Sequence, residues 1–383
     1  MAGARIIVIA AAMLLAAPAA RAEPLQWVAG DLHVHTTFSH DSYGGPDDDN
    51  TGPEEAYTLG HTVSSQFAVA RSRALDFMAI SDHNDVRSQS APGFGDGLLG
   101  IPAYENSLDG HAQMLGARKV YDNGDGSPDA VAALADRLRG DGGVFQVNHP
   151  AEGATTDQLD WKYAYDVVPD TVEAWNISPL YQPPLPSASD NDGAIRYWEG
   201  WLDRGEKVGA TGGSDNHYLA TTAIQGAGQP TTWVGVRERT ARGVLEGLRN
   251  GRTFVSHQPP VYRGPRLFLE ADRDRDGRYE TVVGGTVNGH TPLRVRVEGA
   301  PGARLRVVTG GGILPFEPVP VTGARFEHRF TLAAGSRWVR AEVVGEDLSE
   351  VRRQACDGLL GGQTTYCRNR IARLALTSAI YLR

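Results

Sequence analysis

Residues 27–41 read W-V-A-G-D-L-H-V-H-T-T-F-S-H-D. A short apolar, β-like run (Trp27–Val28–Ala29) leads into imidazoles at His33 and His35 and an acid at Asp41. Side chains two apart at a strand end share a face, so His33 and His35 can bind one ion. His40 competes with Asp41 for the acid's place, and both assignments stay open.

The same design recurs down the chain. Phe77–Met78–Ala79–Ile80 runs into Ser81–Asp82–His83–Asn84, where Asp82 is placed to orient the His83 imidazole. Glu105 and His111 sit at the two ends of E-N-S-L-D-G-H, across a turn between strands. A carboxylate can bridge two ions, and Glu105 is the candidate bridge. His149 stands in V-N-H-P, where Pro150 predicts an extended approach. Asp215 and His217 in G-G-S-D-N-H repeat the alternation of His33 and His35. The candidate ligands are therefore His33, His35, Asp41, His83, Glu105, His111, His149, Asp215 and His217, using six of the chain's eleven histidines. Mixed nitrogen and oxygen donors without cysteine suit zinc, manganese or iron better than calcium, and nine of them suffice for two or three divalent ions.

Between these clusters, short apolar runs alternate with helical patterns. Thr62–Leu75 has helical spacing. Ser127–Pro128 caps and starts a helix through Arg139, stopped by Gly140. Strands are predicted at Val144–Val147, Thr171–Trp175, Val208–Thr211 and Thr231–Val236. Helices are predicted at Ala194–Arg204 and, from Thr240, up to Asn250–Gly251. A β-then-α order implies an α/β fold with a mainly parallel sheet or barrel, whose chemistry gathers beyond the strand ends. After about Pro259 the texture becomes short alternating runs between Gly and Pro turns, at Arg266–Glu270, Leu293–Val297, Arg304–Val308, Arg325–Phe330 and Trp338–Val344. This predicts a β-sandwich-like C-terminal domain. The expected division is a signal peptide at 1–22, a metallohydrolase domain at 23–258 and a β-rich domain at 259–383.

Composition narrows the class. Arg5, the apolar stretch from Ile6 to Pro18 and the A-x-A site Ala20–Arg21–Ala22 predict export to the periplasm or beyond, with no membrane attachment after cleavage. Losing that segment removes two arginines and no acids, so the formal charge falls from −9 to −11. So acidic a chain has no overall field for nucleic acid. The two cysteines, Cys356 and Cys367, predict a disulfide in an exported chain.

The ordered set H-x-H, Asp, D-H-N, E…H, N-H-P and S-D-x-H resembles the PHP superfamily of metal-dependent phosphoesterases, named for polymerase-associated and histidinol-phosphatase domains. The resemblance covers residues 29–257. Within it, Gly30–Thr36, Gly251–Val255 and the terminal Thr377–Leu382 look like an exported branch labelled CehA/McbA, which includes carbamate-ester hydrolysis. The resemblance implies a distorted (β/α)7 barrel with metals at its mouth. It implies one ion at His33, His35, Glu105 and Asp215 and a second at Glu105, His111 and His149. Asp41, His83 and His217 would hold a third where one is present.

The expected chemistry is metal-assisted hydrolysis of a small-molecule ester, by a hydroxide made from water bridging two cations. Asp215, His217 and His149 are candidates for proton handling, though metal coordination suits them better. Phosphate esters come first, with Arg71, Arg73 or Arg87 as partners for phosphate. Carboxyl or carbamate esters are the alternative, with Trp161, Tyr163, Tyr165 and Trp175 as pocket walls; solvated charges and core aromatics are the plainer readings of these groups. Glu173 and Asn176 in V-E-A-W-N are expected behind the ligands. A non-catalytic, metal-containing binding protein is the reading from another class. Asp272-x-Asp274-x-Asp276-Gly277, followed by Glu280, begins like a calcium loop. Val283 stands where a bidentate Glu belongs, so an exposed acidic hairpin is preferred there.

Overall fold

The computed structural model describes residues 25–39, 62–151, 159–176, 191–217, 226–333, 335–346 and 371–383. The expected signal peptide, His40, Asp41 and the Cys356–Cys367 pair lie outside the described residues.

The chain begins with β1 (Gln26–Asp31), α1 (Val63–Ser72), β2 (Phe77–Ile80) and β3 (Leu99–Pro102). An antiparallel hairpin of β4 (Glu105–Leu108) and β5 (Gly110–Leu115) follows. Next come α2 (Pro128–Gly140), β6 (Val144–Val147), β7 (Thr171–Asn176), α3 (Asn191–Asp203) and β8 (Gly209–Gly213). Strand β9 (Thr231–Val236), α4 (Ala241–Arg249) and β10 (Thr253–Ser256) complete the ligand-bearing part. The rest is β-rich. It holds β11 (Arg266–Ala271), β12 (Thr281–Val282), β13 (Thr286–Val287), β14 (Leu293–Glu298) and β15 (Arg304–Thr309). After these come β16 (Val319–Pro320), β17 (Arg325–Phe330), β18 (Trp338–Glu346), β19 (Ile371–Thr377) and β20 (Ile380–Leu382).

Local chemistry accounts for the helix starts. The Thr62, Ser127 and Thr240 hydroxyls accept from the backbone N–H groups of Ser65, Ala130 and Gly243, and Pro128 occupies the first turn of α2, where no donor is needed. Among the described residues, no helix is long and apolar enough to cross a membrane.

The architecture is mixed α/β with a large sheet and further sheets beside it. The large sheet runs β13-β20-β18-β19-β10-β9-β1-β2-β3, with β15 and β16 attached through β18. A five-stranded sheet runs β4-β5-β6-β7-β8, and a four-stranded antiparallel sheet runs β12-β11-β14-β17. The mainly parallel sheet read from the sequence is corrected here. Parallel pairing holds for β1–β2–β3 and β6–β7–β8, but β4–β5–β6 and β1–β9–β10 are antiparallel. The β4–β5 connection is the single residue Asp109, and so short a link can only join antiparallel neighbours.

Two isolated parallel bridges, His83 to Glu105 and Val34 to Asn216, lace the large sheet to the five-stranded one. The ends of β1, β2, β4 and β8 thereby meet along one seam. Packing also crosses residue 258: Met78 and Ile80 share a buried apolar cluster with Leu267, Val295, Leu305 and Val343. Strand β19 pairs directly with β10.

Candidate metal centre

His33 and His35 leave the end of β1 and reach the seam with both rings fully buried. Their Nε2 atoms lie 3.1 Å apart. Glu105 Oε2, from the start of β4, is 3.0 Å from His33 Nε2 and 3.2 Å from His35 Nε2. Asp215 Oδ1, just past β8, is 3.2 Å from each. Four donor atoms at these spacings match the edges of a tetrahedron or octahedron, about 3.0–3.4 Å for metal–ligand bonds of about 2.0–2.1 Å. The residues fit a divalent cation.

The other oxygen of Glu105 faces a second set. His111 Nδ1 and His149 Nε2 are each 3.3 Å from Glu105 Oε1, which also accepts from Asn148 Nδ2 at 2.7 Å. One carboxylate thus divides its two oxygens between two groups of imidazoles. His83 Nε2 adds a contact at 3.4 Å to Glu105 Oε2, and His35, His83 and His217 form a third convergent group. The His217 ring stacks on His35 with centroids 4.0 Å apart. The structure therefore gathers His33, His35, His83, Glu105, His111, His149, Asp215 and His217; the ninth expected ligand, Asp41, lies outside the described residues.

Behind the cluster, other groups hold the rings in one orientation. His33 Nδ1 meets Glu173 Oε1 at 3.0 Å, His35 Nδ1 meets Ser39 Oγ at 2.9 Å, and His83 Nδ1 meets Ser107 Oγ at 3.0 Å. The Glu173 carboxylate can only accept, so it holds the His33 proton on Nδ1, and all three contacts engage Nδ1 and leave Nε2 facing the cluster, as ligating histidines require. Glu173 Oε2 accepts from the His149 backbone N–H and from Asn176 Nδ2, whose amide also donates to Asp215 Oδ2. The sequence expectation for Glu173 and Asn176 matches this placement. The expectation for Asp82 does not: its carboxylate accepts from the Thr36 backbone and hydroxyl, and Ser107 takes the His83 nitrogen.

The backbone is bent to suit. His149 has φ of 21° and Asp215 φ of 47°. The extended approach expected for His149 is thus replaced by a positive φ, held in place by Glu173. Gly213 is needed for close approach, since a Cβ there would collide with Glu173 Oε1 and His33 Cβ. Sequence reasoning missed Asp31, which is fully buried and accepts from the backbone N–H groups of His33, Ser214 and Gly228. Its signal was the acid inside G-D-L-H-V-H, two residues before the first ligand.

Electrostatics show what the cluster attracts. Burial opposes protonation of His33 and His35, but Asp215 and Glu105 outweigh it, holding His33 well above the usual range and pushing His35 up to about 10. Burial would raise Glu105 and Asp215, yet the neighbouring imidazoles hold both well below the ordinary carboxylate range. A buried carboxylate, Glu105, and a half-buried one, Asp215, that retain protons on adjacent rings form a site that favours a cation, and a divalent ion would displace those protons.

The arginines considered as partners for phosphate have other partners. Arg71 pairs with Asp96 and Arg87 with Asp85, while buried Arg73 donates to the Ala227 carbonyl and to Gln229. Trp161, Tyr163 and Trp175 are buried in a core cluster, with Tyr165 packed against it.

Residues 22–91 match a family model described as "Protein of unknown function (DUF3604)". No curated protein matches the chain. A solved structure from Bacteroides vulgatus ATCC 8482, described as a two-domain protein containing a predicted PHP-like metal-dependent phosphoesterase, is similar at a TM-score of 0.43 and 16% identity. That likeness covers 83% of this chain and 90% of the other. Neither match assigns a reaction to this chain.

Proposed function

We propose that this chain is a metal-dependent hydrolase of ester bonds, acting first on phosphate esters. The observation that carries the reading is Glu105, whose two oxygens face two separate groups of imidazoles. In this reading His33, His35, Glu105 and Asp215 hold one divalent cation, and Glu105, His111 and His149 hold a second. His83 and His217, with Asp41, would hold a third where one is present. Cations bound there would acidify water for attack and bind the ester oxygen that gains charge. Glu173 keeps His33 in its ligating tautomer, Ser39 and Ser107 hold the Nδ1 atoms of His35 and His83, and Asn148 and Asn176 fix the two carboxylates. Asp215 and His217, with side chains 17% and 20% exposed, stand at the open edge where a proton can leave. His149, at 4%, is sealed and coordinates only.

The same reading takes the strands β1, β2, β4, β5, β6, β7 and β8, linked between sheets by the two isolated bridges, as a distorted barrel with the cluster at its mouth. Export with removal of residues 1–22, and a Cys356–Cys367 disulfide, belong to the same reading and rest on the sequence. A mature N-terminus at Glu23 in mass spectra would test the export step.

Carboxyl or carbamate esters are the second reading, favoured by the engagement of Arg71, Arg73 and Arg87 away from the cluster. The test is to reconstitute the protein with zinc, manganese or iron, measure bound metal, and assay p-nitrophenyl phosphate, its bis-ester and carboxyl esters in parallel. Two or more ions per chain with phosphate-ester turnover is the expected result. Turnover of carboxyl esters alone selects the second reading. Fewer than two ions would sink the shared-carboxylate site, and full loading without any turnover would mark a binding protein.

A further inference from the structure

The loop joining β11 to β12 holds four acids that hydrolysis does not use. Residues 272–280 read D-R-D-R-D-G-R-Y-E. Asp272, Asp274, Asp276 and Glu280 each place a carboxylate oxygen so that all four lie within 4.8 Å of one another. Exposed acids gather on many surfaces without a ligand, and Asp274, Asp276 and Glu280 are exposed. Asp272 differs. It is only 4% exposed, and its Oδ1 is buried without a hydrogen-bond partner, while Oδ2 accepts from the Gly277 backbone N–H at 2.9 Å. A buried carboxylate oxygen facing neither donor nor cation is strongly disfavoured, and a cation shared with its three neighbours removes that cost.

We propose that residues 272–280 form a calcium-binding loop, with Asp272, Asp274, Asp276 and Glu280 as its carboxylate ligands. Oxygens on opposite sides of a calcium ion are about 4.6–5.2 Å apart, a span this group accommodates. Magnesium keeps most of its water and takes one or two carboxylates, so four converging acids select the larger ion. Gly277, at the sixth position, has φ of 87°, the sharp turn that a D-x-D-x-D-G loop needs. Arg273 and Arg275 reach away to the carbonyls of Thr286 and His290, while Arg278 lies 3.6 Å from Asp276 and must yield to the ion. Position twelve is Val283, 2% exposed, so Glu280 at position nine supplies the last carboxylate. With no bidentate Glu, affinity falls in the weak class of such loops, on the order of 10⁻⁴–10⁻³ M.

The test uses the full chain with its histidine cluster loaded with zinc, titrated with calcium alone by calorimetry. A parallel titration follows terbium emission excited through Tyr279, which lies inside the loop. One calcium per chain is expected, bound about tenfold or more weakly by Asp272→Asn and Asp274→Asn. Asp274 is exposed, so its variant folds and retains the parent's ester hydrolysis. Tyr279→Phe should lose terbium emission and keep calcium. Equal calcium binding in the parent and both Asn variants, or none up to about 10 mM, would overturn the proposal. So would magnesium binding as tight as calcium.

Discussion

Replacing Glu173 with Gln tests whether the cluster depends on groups that never touch a metal. Glu173 is fully buried and accepts three hydrogen bonds: from His33 Nδ1 at 3.0 Å, the His149 backbone N–H at 3.2 Å and Asn176 Nδ2 at 3.0 Å. Gln has the same shape but one acceptor and one donor. With its oxygen toward His33, its NH₂ faces two donors, the His149 N–H and the Asn176 amide. With its NH₂ toward His33, the imidazole must accept at Nδ1 and carry its proton on Nε2, the atom that faces His35, Glu105 and Asp215. Either arrangement forfeits a charge-assisted hydrogen bond of about 1.5–3 kcal/mol. That agrees with the roughly 10–100-fold loss of metal affinity seen when a group orienting a ligand is removed.

The expected outcome for Glu173→Gln is an apparent metal Kd raised by about 10–100-fold, with much of the turnover restored at saturating metal. Competition with a chelating dye gives the affinity, and ¹⁵N spectra of the imidazoles give the His33 tautomer. Circular dichroism of the metal-free variant checks that the fold survives. A variant with parental metal affinity and His33 still protonated at Nδ1 would refute the positioning role.

Two further outcomes concern stability. Glu342 is 1% exposed and meets Arg340, Arg373 and Arg306, at 3.0, 3.1 and 2.9 Å. Burial would raise its pKa, but the guanidiniums hold it well below the usual range, so its contribution is present above the unfolded carboxylate pKa of about 4.3 and lost as pH falls below it. Glu342→Gln should cost about 3–5 kcal/mol near neutrality and flatten the acid limb of denaturant midpoints measured between pH 7 and 3; an unchanged acid limb would contradict this. Gly110 has φ of 101°, and a Cβ there would lie 2.9 Å from Trp161 Cα, so Gly110→Ala should lower stability by about 1–3 kcal/mol and disturb the turn between Glu105 and His111. Unfolding midpoints with metal stoichiometry check it, and a fully stable, fully loaded variant would count against that account.

Much of the site could be read from the chain because its signals are local. Ligand types alternate at the ends of apolar runs, and α2 begins at Ser127–Pro128 and ends at Gly140 through caps a few residues long. What could not be read depends on distant partners. The pairing of β10 with β19 joins residues more than a hundred positions apart, and neither strand's pattern names the other. Asp82 looked like the partner of the adjacent His83, but the segment that follows β1 passes beside it and offers the Thr36 N–H and hydroxyl first. His149 reads as extended before Pro150 until the buried Glu173 carboxylate captures its N–H.

The same distant partners explain why a ligand cluster can occupy a seam between sheets. Where ladders stop, backbone groups must find other partners, or the strand ends would close on each other and exclude the imidazoles. Here side chains take them. Ser81 Oγ accepts from the Val34 N–H, Asp82 from Thr36, Ser39 Oγ from His83 and Glu173 from His149. Gln113 and Gln66 donate to the carbonyls of Leu32 and His35. Every one of these bonds ends on a ligand or within two residues of one. The polar residues around the cluster therefore do two things with one set of contacts: they end the sheets without orphaned backbone groups, and they aim the side chains. A substitution among them should register first as lost metal affinity and only second as lost stability, because the β-ladders themselves remain intact.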